Sequence, residues 1–329
     1  MTRTLLIFPI LLLLLSACND NEEPDNSVLE QPPYAGITEE IKASPKNDVL
    51  YFKRGELLQK SNLPVLALAD YKKAWSLKQD EEYAMKAATL IRERSADSAV
   101  IFLQSAIEQL PGSVLLHVGL AKAYEISGKT KQAFTVYDTL LKWFPKEASL
   151  WMLKADLLEK VDDSIQVLPT LEMAHRLDPL NKQIGYNLAY QYAEIGSAKT
   201  IALADSLIAQ DTLGIEAEPY YIKGVYYSGI KQNQKAIEWF DKTIQHDQRH
   251  LNAFIEKGKI YFDEKKYDLA MKTFQLANRV SPAFADAYYW IGRCQEVAGQ
   301  KEDAKLNYEK AYSLDKTFTE AKEAAAKLN

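Results

Sequence analysis

The sequence predicts an all-α fold, a solenoid of eight stacked helix-turn-helix repeats over residues 48–316 with a capping helix at 317–329. Three observations predict it. First, a small residue returns at Gly55, Ala87, Ala121, Ala155, Ala189, Gly224, Gly258 and Gly292, in steps of 32, 34, 34, 34, 35, 34 and 34. Second, Ala67, Ala99, Ala133, Val167, Ile201, Ala236, Ala270 and Ala304 follow twelve residues later. Third, Tyr71, Leu103, Tyr137, Leu171, Asp205, Phe240, Phe274 and Tyr308 follow sixteen residues later, a large apolar side chain in every unit but the fifth. A fixed period of this length marks a repeat architecture.

The elements before the repeats come first. The apolar run Leu5–Leu15 has 11 residues and contains Pro9. A spanning helix needs roughly 20. With Arg3 ahead of it and Ser16 and Ala17 behind, the run has the layout of a secretory signal peptide, residues 1–17. "LSAC", Leu15–Cys18, resembles the lipobox of bacterial lipoproteins. That resemblance implies cleavage before Cys18, a diacylglycerol on its sulfur and a further acyl chain such as palmitate on the new amino terminus. Each methylene buried in the bilayer contributes about 0.8 kcal/mol, so two or more chains hold firmly where one does not. The expected location is the outer membrane. "NDNEEPD" after the cysteine resembles acidic signals that send lipoproteins to the cell surface in one group of Gram-negative bacteria; read as a plain linker, it leaves the protein on the periplasmic face.

Residues 18–47 hold seven acids against Lys42 and Lys46, a charge of −5, with many Asn and Pro and few apolar residues. The composition reads as a flexible linker. Thirty residues of coil would reach about 30 Å on average. From Asp48 onward the net charge is only −1, which excludes the electrostatic footprint of a nucleic-acid binder. Of two cysteines the anchor takes one, so Cys294 has no partner for a disulfide within one mature chain.

Each repeat unit then reads as two amphipathic helices of about a dozen residues, apolar at i, i+3, i+4 and i+7. The small residue on the first lets the second approach. Neither helix buries its stripe alone, so units must stack. Pro111, Pro145, Pro179 and Pro282 close several units, because proline lacks the N–H and clashes with the preceding turn. The region resembles the tetratricopeptide repeat family, most closely at Leu251–Pro282, where Phe254, Gly258, Tyr261, Ala270, Phe274, Ala277 and Pro282 stand at the signature positions. The resemblance implies a right-handed solenoid. In the fifth unit Asp205 replaces an aromatic, which leaves local packing there open. At the end, Thr317 stands three residues before Glu320, a capping-box spacing that opens the last helix.

Catalytic chemistry finds little support. No Gly-rich phosphate loop or Ser/His or Cys/His motif is visible. His117 sits at a core position and His175 inside a second helix; His246 and His250 are four apart but no carboxylate or cysteine cluster joins them. No enzyme activity, metal, cofactor or small-molecule substrate is expected. Lys86, Lys154, Lys223 and Lys257 each precede the small residue, and their stems are expected to pack while the ammonium groups reach water.

The resemblance implies that first helices line a concave groove through unit positions 2, 5, 9 and 12, the small residue being position 8. In the first four units these include Glu56, Gln59, Lys122, Glu125, Met152, Asp156 and Glu159, a mostly polar set. In the last four they include Tyr186, Tyr190, Tyr221, Lys259, Phe262, Tyr289 and Arg293, with Asn187 beside them. Aromatics with a few basic groups are what interface cores prefer. These eight residues are the expected protein-binding groove, each tyrosine either a contact or a packing residue, and Lys259 with Arg293 would favour an acidic segment. No unit has lysine at position 5, so the family's clamp for a C-terminal carboxylate is not expected. The function read from these features is a lipid-anchored, non-catalytic scaffold that binds a protein or peptide in the assembly of an envelope complex. Such proteins resemble factors for secretion, pilus or cell-wall machinery. The alternative is a regulatory accessory subunit of a peptidoglycan hydrolase or protease.

Overall fold

The computed structural model describes residues 26–328. Residues 1–17 and Cys18, the expected signal peptide and anchor, lie outside the described residues, as does the linker as far as Asp25. Among the described residues there are helices and turns and no strand. After a short 3-10 helix, Asn26–Glu30, come α1 (Ala35–Ala43), α2 (Asp48–Lys60), α3 (Pro64–Leu77), α4 (Glu81–Arg94), α5 (Ala96–Gln109), α6 (Val114–Ile126) and α7 (Thr130–Trp143). They are followed by α8 (Ala148–Lys160), α9 (Ser164–Leu177), α10 (Lys182–Glu194), α11 (Lys199–Gln210), α12 (Glu218–Gly229) and α13 (Asn233–His246). The last are α14 (Leu251–Asp263), α15 (Tyr267–Val280), α16 (Ala285–Val297), α17 (Lys301–Leu314) and α18 (Thr319–Ala326). The eight pairs from α2/α3 to α16/α17 are the eight units read from the period. The described residues divide into two compact units, one ending at Val136 and one beginning at Tyr137, with the division inside α7.

The small residue does what the period implied. A Cβ built on Gly55 would lie 2.7 Å from the Tyr71 ring, on Gly224 2.5 Å from Phe240, and on Gly292 2.8 Å from Tyr308. Gly258 meets Phe274 more tightly still. Tyr71, Phe240, Phe274 and Tyr308 are fully buried. Each glycine at this place accompanies an aromatic sixteen residues on, while alanine accompanies Leu103 and Leu171 and, in the third repeat, the buried Tyr137. At the glycines the aromatic ring lies where a methyl group would be.

The turn inside each repeat is equally regular. Seven residues after the small residue the backbone turns left-handed, at Asn62, Gly128, Asp162, Gly196, Lys231, Lys265 and Gly299. The next N–H then reaches back five residues, as from Lys266 to the Tyr261 carbonyl at 2.8 Å, and satisfies a helix end. Three of these positions are glycine; four accept the conformation with a side chain. In the second repeat Arg94 stays helical, and Ser95 both ends α4 and caps α5 through the Ser98 N–H.

The lysines ahead of the small residue do more than reach water. Lys154 pairs with Asp138 at 2.7 Å, Lys223 with Asp205 at 2.6 Å and Lys257 with Asp241 at 2.5 Å, each carboxylate lying on the second helix of the preceding repeat. Lys86 reaches Glu56 of the preceding repeat at 3.7 Å. Asp205, which replaces the aromatic of the fifth repeat, is therefore the partner of the buried Lys223, whose ammonium also lies 3.8 Å from the centre of the Trp239 ring.

Two expectations need correction. Residues 26–43 are not a flexible linker. Tyr34, Thr38 and Ile41 are buried, and Tyr34 packs with Leu58, Leu66 and Tyr71 of the first repeat. Arg54 donates from Nε and Nη2 to both carboxylate oxygens of Asp70, at 2.7 and 2.8 Å, and from Nη1 to Thr38 Oγ1 at 3.0 Å, which ties α1 to the first repeat. The capping box also fails. Asp315 Oδ1 accepts from the Thr317 N–H at 2.8 Å and its hydroxyl at 2.6 Å, so Thr317 belongs to the preceding turn and α18 starts two residues later behind Phe318.

Two predictions follow from this packing. Gly258→Val should destabilise the fold by about 2 kcal/mol, a typical overpacking cost, because Phe274 is stacked on Trp290 at 5.5 Å and has nowhere to retreat. Adding Phe274→Leu should restore part of the loss in denaturant unfolding; equal stability of parent and Gly258→Val would refute the contact. Asp70→Ala should cost more, about 3–5 kcal/mol, because it leaves a buried guanidinium without its counter-charge. Hydrogen exchange in residues 35–43 should rise with it, and unchanged protection there would show that α1 is held by other means.

Candidate functional site

Of the eight residues expected to form one groove, three lie on α10, four on α14 and α16, and Tyr221 joins the core, all within the second compact unit. The first place is centred on α10. Asn181 caps this helix by accepting from the Ile184 N–H, and Ile184, Leu188 and Ala189 bury its inner stripe. The opposite side carries Gln183, Tyr186, Asn187, Tyr190 and Gln191, which line a cavity of about 390 Å³. Glu159 from α8, Leu171 from α9 and Glu218 from α12 complete the wall. That volume falls within the range of roughly 300–1,000 Å³ common for ligand sites.

Polar contacts set the cavity's geometry. Gln191 donates from Nε2 to Glu159 Oε1 at 3.2 Å, and Gln183 donates to Asn187 Oδ1 at 2.9 Å. The Tyr186 hydroxyl and the Lys182 ammonium both bind Glu216, in the loop before α12. Tyr190 is half-buried. Burial first, then the carboxylates of Glu194, Glu256, Glu218 and Glu159, pushes its hydroxyl above the usual tyrosine range. Glu194 is itself raised, by burial and then by Glu159. Glu218 faces His250 Nε2 at 3.3 Å.

Tyr221 holds the same repeat position as Tyr186 but is only 7% exposed. Its ring packs 5.7 Å from Phe240 and 4.6 Å from His250, so it belongs to the core and not to the open face. The second place is on α14 and α16. Phe262 meets Trp290 edge-on at 5.5 Å, and Tyr289 packs 4.9 Å from Phe318 and 5.5 Å from Tyr308. The Arg293 guanidinium lies 5.3 Å from the Phe262 ring centre, 5.5 Å from Trp290 and 5.9 Å from Tyr289, and donates to the Tyr289 hydroxyl at 3.3 Å. Tyr289 and Arg293 border a cavity of about 320 Å³ with Glu296, Glu320, Glu323, Ala324 and Lys327. Lys259 is held by Glu256 at 2.8 Å, one turn away. The two cations expected to draw an acidic segment are thus engaged within the chain.

Sequence reasoning passed over Gln183 and Glu218, and placed Glu159 on the inner wall of the first four repeats without counting it a binding residue. Their signal was present: they stand at positions 2, 2 and 12 of their repeats, the same inward places that singled out the tyrosines. Weighting aromatic residues over the register hid them. His246 and His250 do not converge. His246 stacks on Tyr220 at 4.2 Å, with Nδ1 at 3.0 Å from the Gly214 carbonyl, while His250 accepts from the Ala253 N–H at the start of α14. Among the described residues no group of three or more His, Cys, Asp or Glu is placed to hold a metal, and no helix is long and apolar enough to cross a membrane. Cys294 is buried in α16, and burial pushes its thiol up to about 11.

Comparison with known proteins agrees with this architecture. The tetratricopeptide repeat matches residues 90–157, and again 251–284 and 285–318. Protein O-mannosyl-transferase TMTC1 of Homo sapiens is 25% identical over 217 residues, which are 64% of this chain and 24% of that protein. The chain therefore spans about a quarter of that relative's length. A tetratricopeptide repeat protein from Parabacteroides merdae superposes with a TM-score of 0.60 at 18% identity, over 75% of this chain and 98% of that one. Yeast Tom70 does so with a TM-score of 0.59 at 15% identity, over 85% and 58%. At these identities the structures establish the fold alone. The chain carries tetratricopeptide repeats, a scaffold for protein interaction, and its fold is that of a tetratricopeptide solenoid ending in a short helix.

Proposed function

We propose that this protein is a membrane-anchored, non-catalytic scaffold that holds a segment of a partner protein against the α10 face during assembly of an envelope complex. The observation that carries the reading is the cavity on α10. It is bordered by two tyrosines, three side-chain amides and two carboxylates. Side-chain amides and tyrosine hydroxyls can both donate and accept, which suits a peptide backbone with its alternating N–H and C=O groups. Tyrosines add large contact area at low entropic cost. The anchor rests on the leader, where Cys18 stands just past the short apolar run, behind Ser16 and Ala17.

Two measurements test the two halves of this reading. Cys18→Ser should release the protein from membranes or leave it as unprocessed precursor; normal processing and lipid labelling of that variant would refute the anchor. For the scaffold, the partner is recovered by in-cell crosslinking and identified by mass spectrometry. Its affinity for the purified chain should then fall by about 2 kcal/mol, roughly thirtyfold, in Tyr186→Ala/Asn187→Ala, as for interface hot spots. Thermal melting must show the variant folded. Unchanged affinity in a folded variant would move the binding surface off α10.

A further inference from the structure

The charge around the α10 cavity runs opposite to the sequence expectation. No lysine or arginine lines it, while Glu159 and Glu218 do. Two lysines are already committed within the chain, Lys182 to Glu216 and Lys259 to Glu256. Beyond the rim, Glu194 and Glu256 stand close enough to act on the Tyr190 hydroxyl alongside the two lining carboxylates. A hollow with two carboxylates and two tyrosine rings but no basic residue is complementary to one kind of side chain. Carboxylates accept charge-assisted hydrogen bonds, and tyrosine faces attract cations. The carboxyl of Glu194 is raised by burial and by Glu159, so negative charge here is crowded and an incoming cation relieves it.

We propose that the α10 cavity receives a lysine or arginine side chain carried by the docked segment, with Glu159 and Glu218 as its counter-charges and Tyr186 and Tyr190 as its aromatic walls. This deepens the reading of α10 as the docking face and rests on it. Neutral amides at Gln183, Asn187 and Gln191 then serve the backbone on either side of the inserted residue. An acidic segment is disfavoured at this place, since its carboxylates would meet like charges with no lysine or arginine in the lining to offset them.

The test uses the full mature chain and a library of random twelve-residue peptides. Panning should enrich sequences with arginine or lysine at a recurrent position. The tightest arginine peptide is then synthesised twice, with arginine and with its neutral isostere citrulline. The citrulline peptide should bind at least tenfold more weakly. Glu159→Gln/Glu218→Gln should weaken the arginine peptide at least tenfold and bring both peptides to similar affinity, because the two changes remove the same interaction. Glu159→Lys, a second variant of opposite charge, should weaken the arginine peptide further. Equal binding of arginine and citrulline peptides, or enrichment of acidic sequences, would overturn the cation assignment while leaving α10 as the docking face. Peptides that bind Tyr186→Ala/Asn187→Ala as tightly as the parent, or no enrichment at all, would overturn the docking face itself.

Discussion

One contact sets the rest of the structure: in every repeat but the fifth, a large side chain of the second helix stands opposite the small residue of the first. Two helices can share an apolar stripe only if their backbones come close, and a Cβ at Gly224 or Gly258 would occupy the space of the Phe240 or Phe274 ring. The ring fills the gap and the glycine makes room. Alanine is the other solution, with Leu103 after Ala87, Leu171 after Ala155 and Tyr137 after Ala121. Spacing, turn and stacking follow. The left-handed residue seven positions on reverses the chain where the second helix can drop onto the small residue.

A second layer of contacts joins repeat to repeat. The lysine before the small residue projects toward the previous repeat and finds a carboxylate on its second helix at Asp138, Asp205 and Asp241. The first repeat has no predecessor. There the same place is filled by Arg54, which pairs with Asp70 of its own repeat and with Thr38 of α1. The planar fork of arginine serves two partners at once where the lysines serve one carboxylate each.

Much of this was legible in the sequence because the period is written in residue size. Size constrains a buried position whatever its neighbours do. The inner face was less legible, because exposure there depends on the next repeat. Tyr186 and Tyr221 share a register position, yet Tyr221 is covered by His250 at the start of α14 and Tyr186 is not. Charge was read worst. Lys259 looked available until Glu256, three residues earlier, was seen to hold it. The segment before the repeats misled for another reason. Its overall composition is polar, but Tyr34, Thr38 and Ile41 follow one another by four and three residues and make a single helical stripe that averaging conceals.

That folded segment changes the mechanics of the proposed tether. If residues 18–47 were all coil, the body would swing on a leash of 30 residues. The described fold already includes Asn26, so under the proposed anchoring no more than eight residues, 18–25, lie between Cys18 and a folded segment. Even drawn out straight, eight residues span no more than roughly 29 Å. The scaffold would then patrol a thin shell against the bilayer instead of a deep volume around it. A short leash raises the local concentration of membrane-embedded or membrane-hugging partners and excludes those that stay far from the surface.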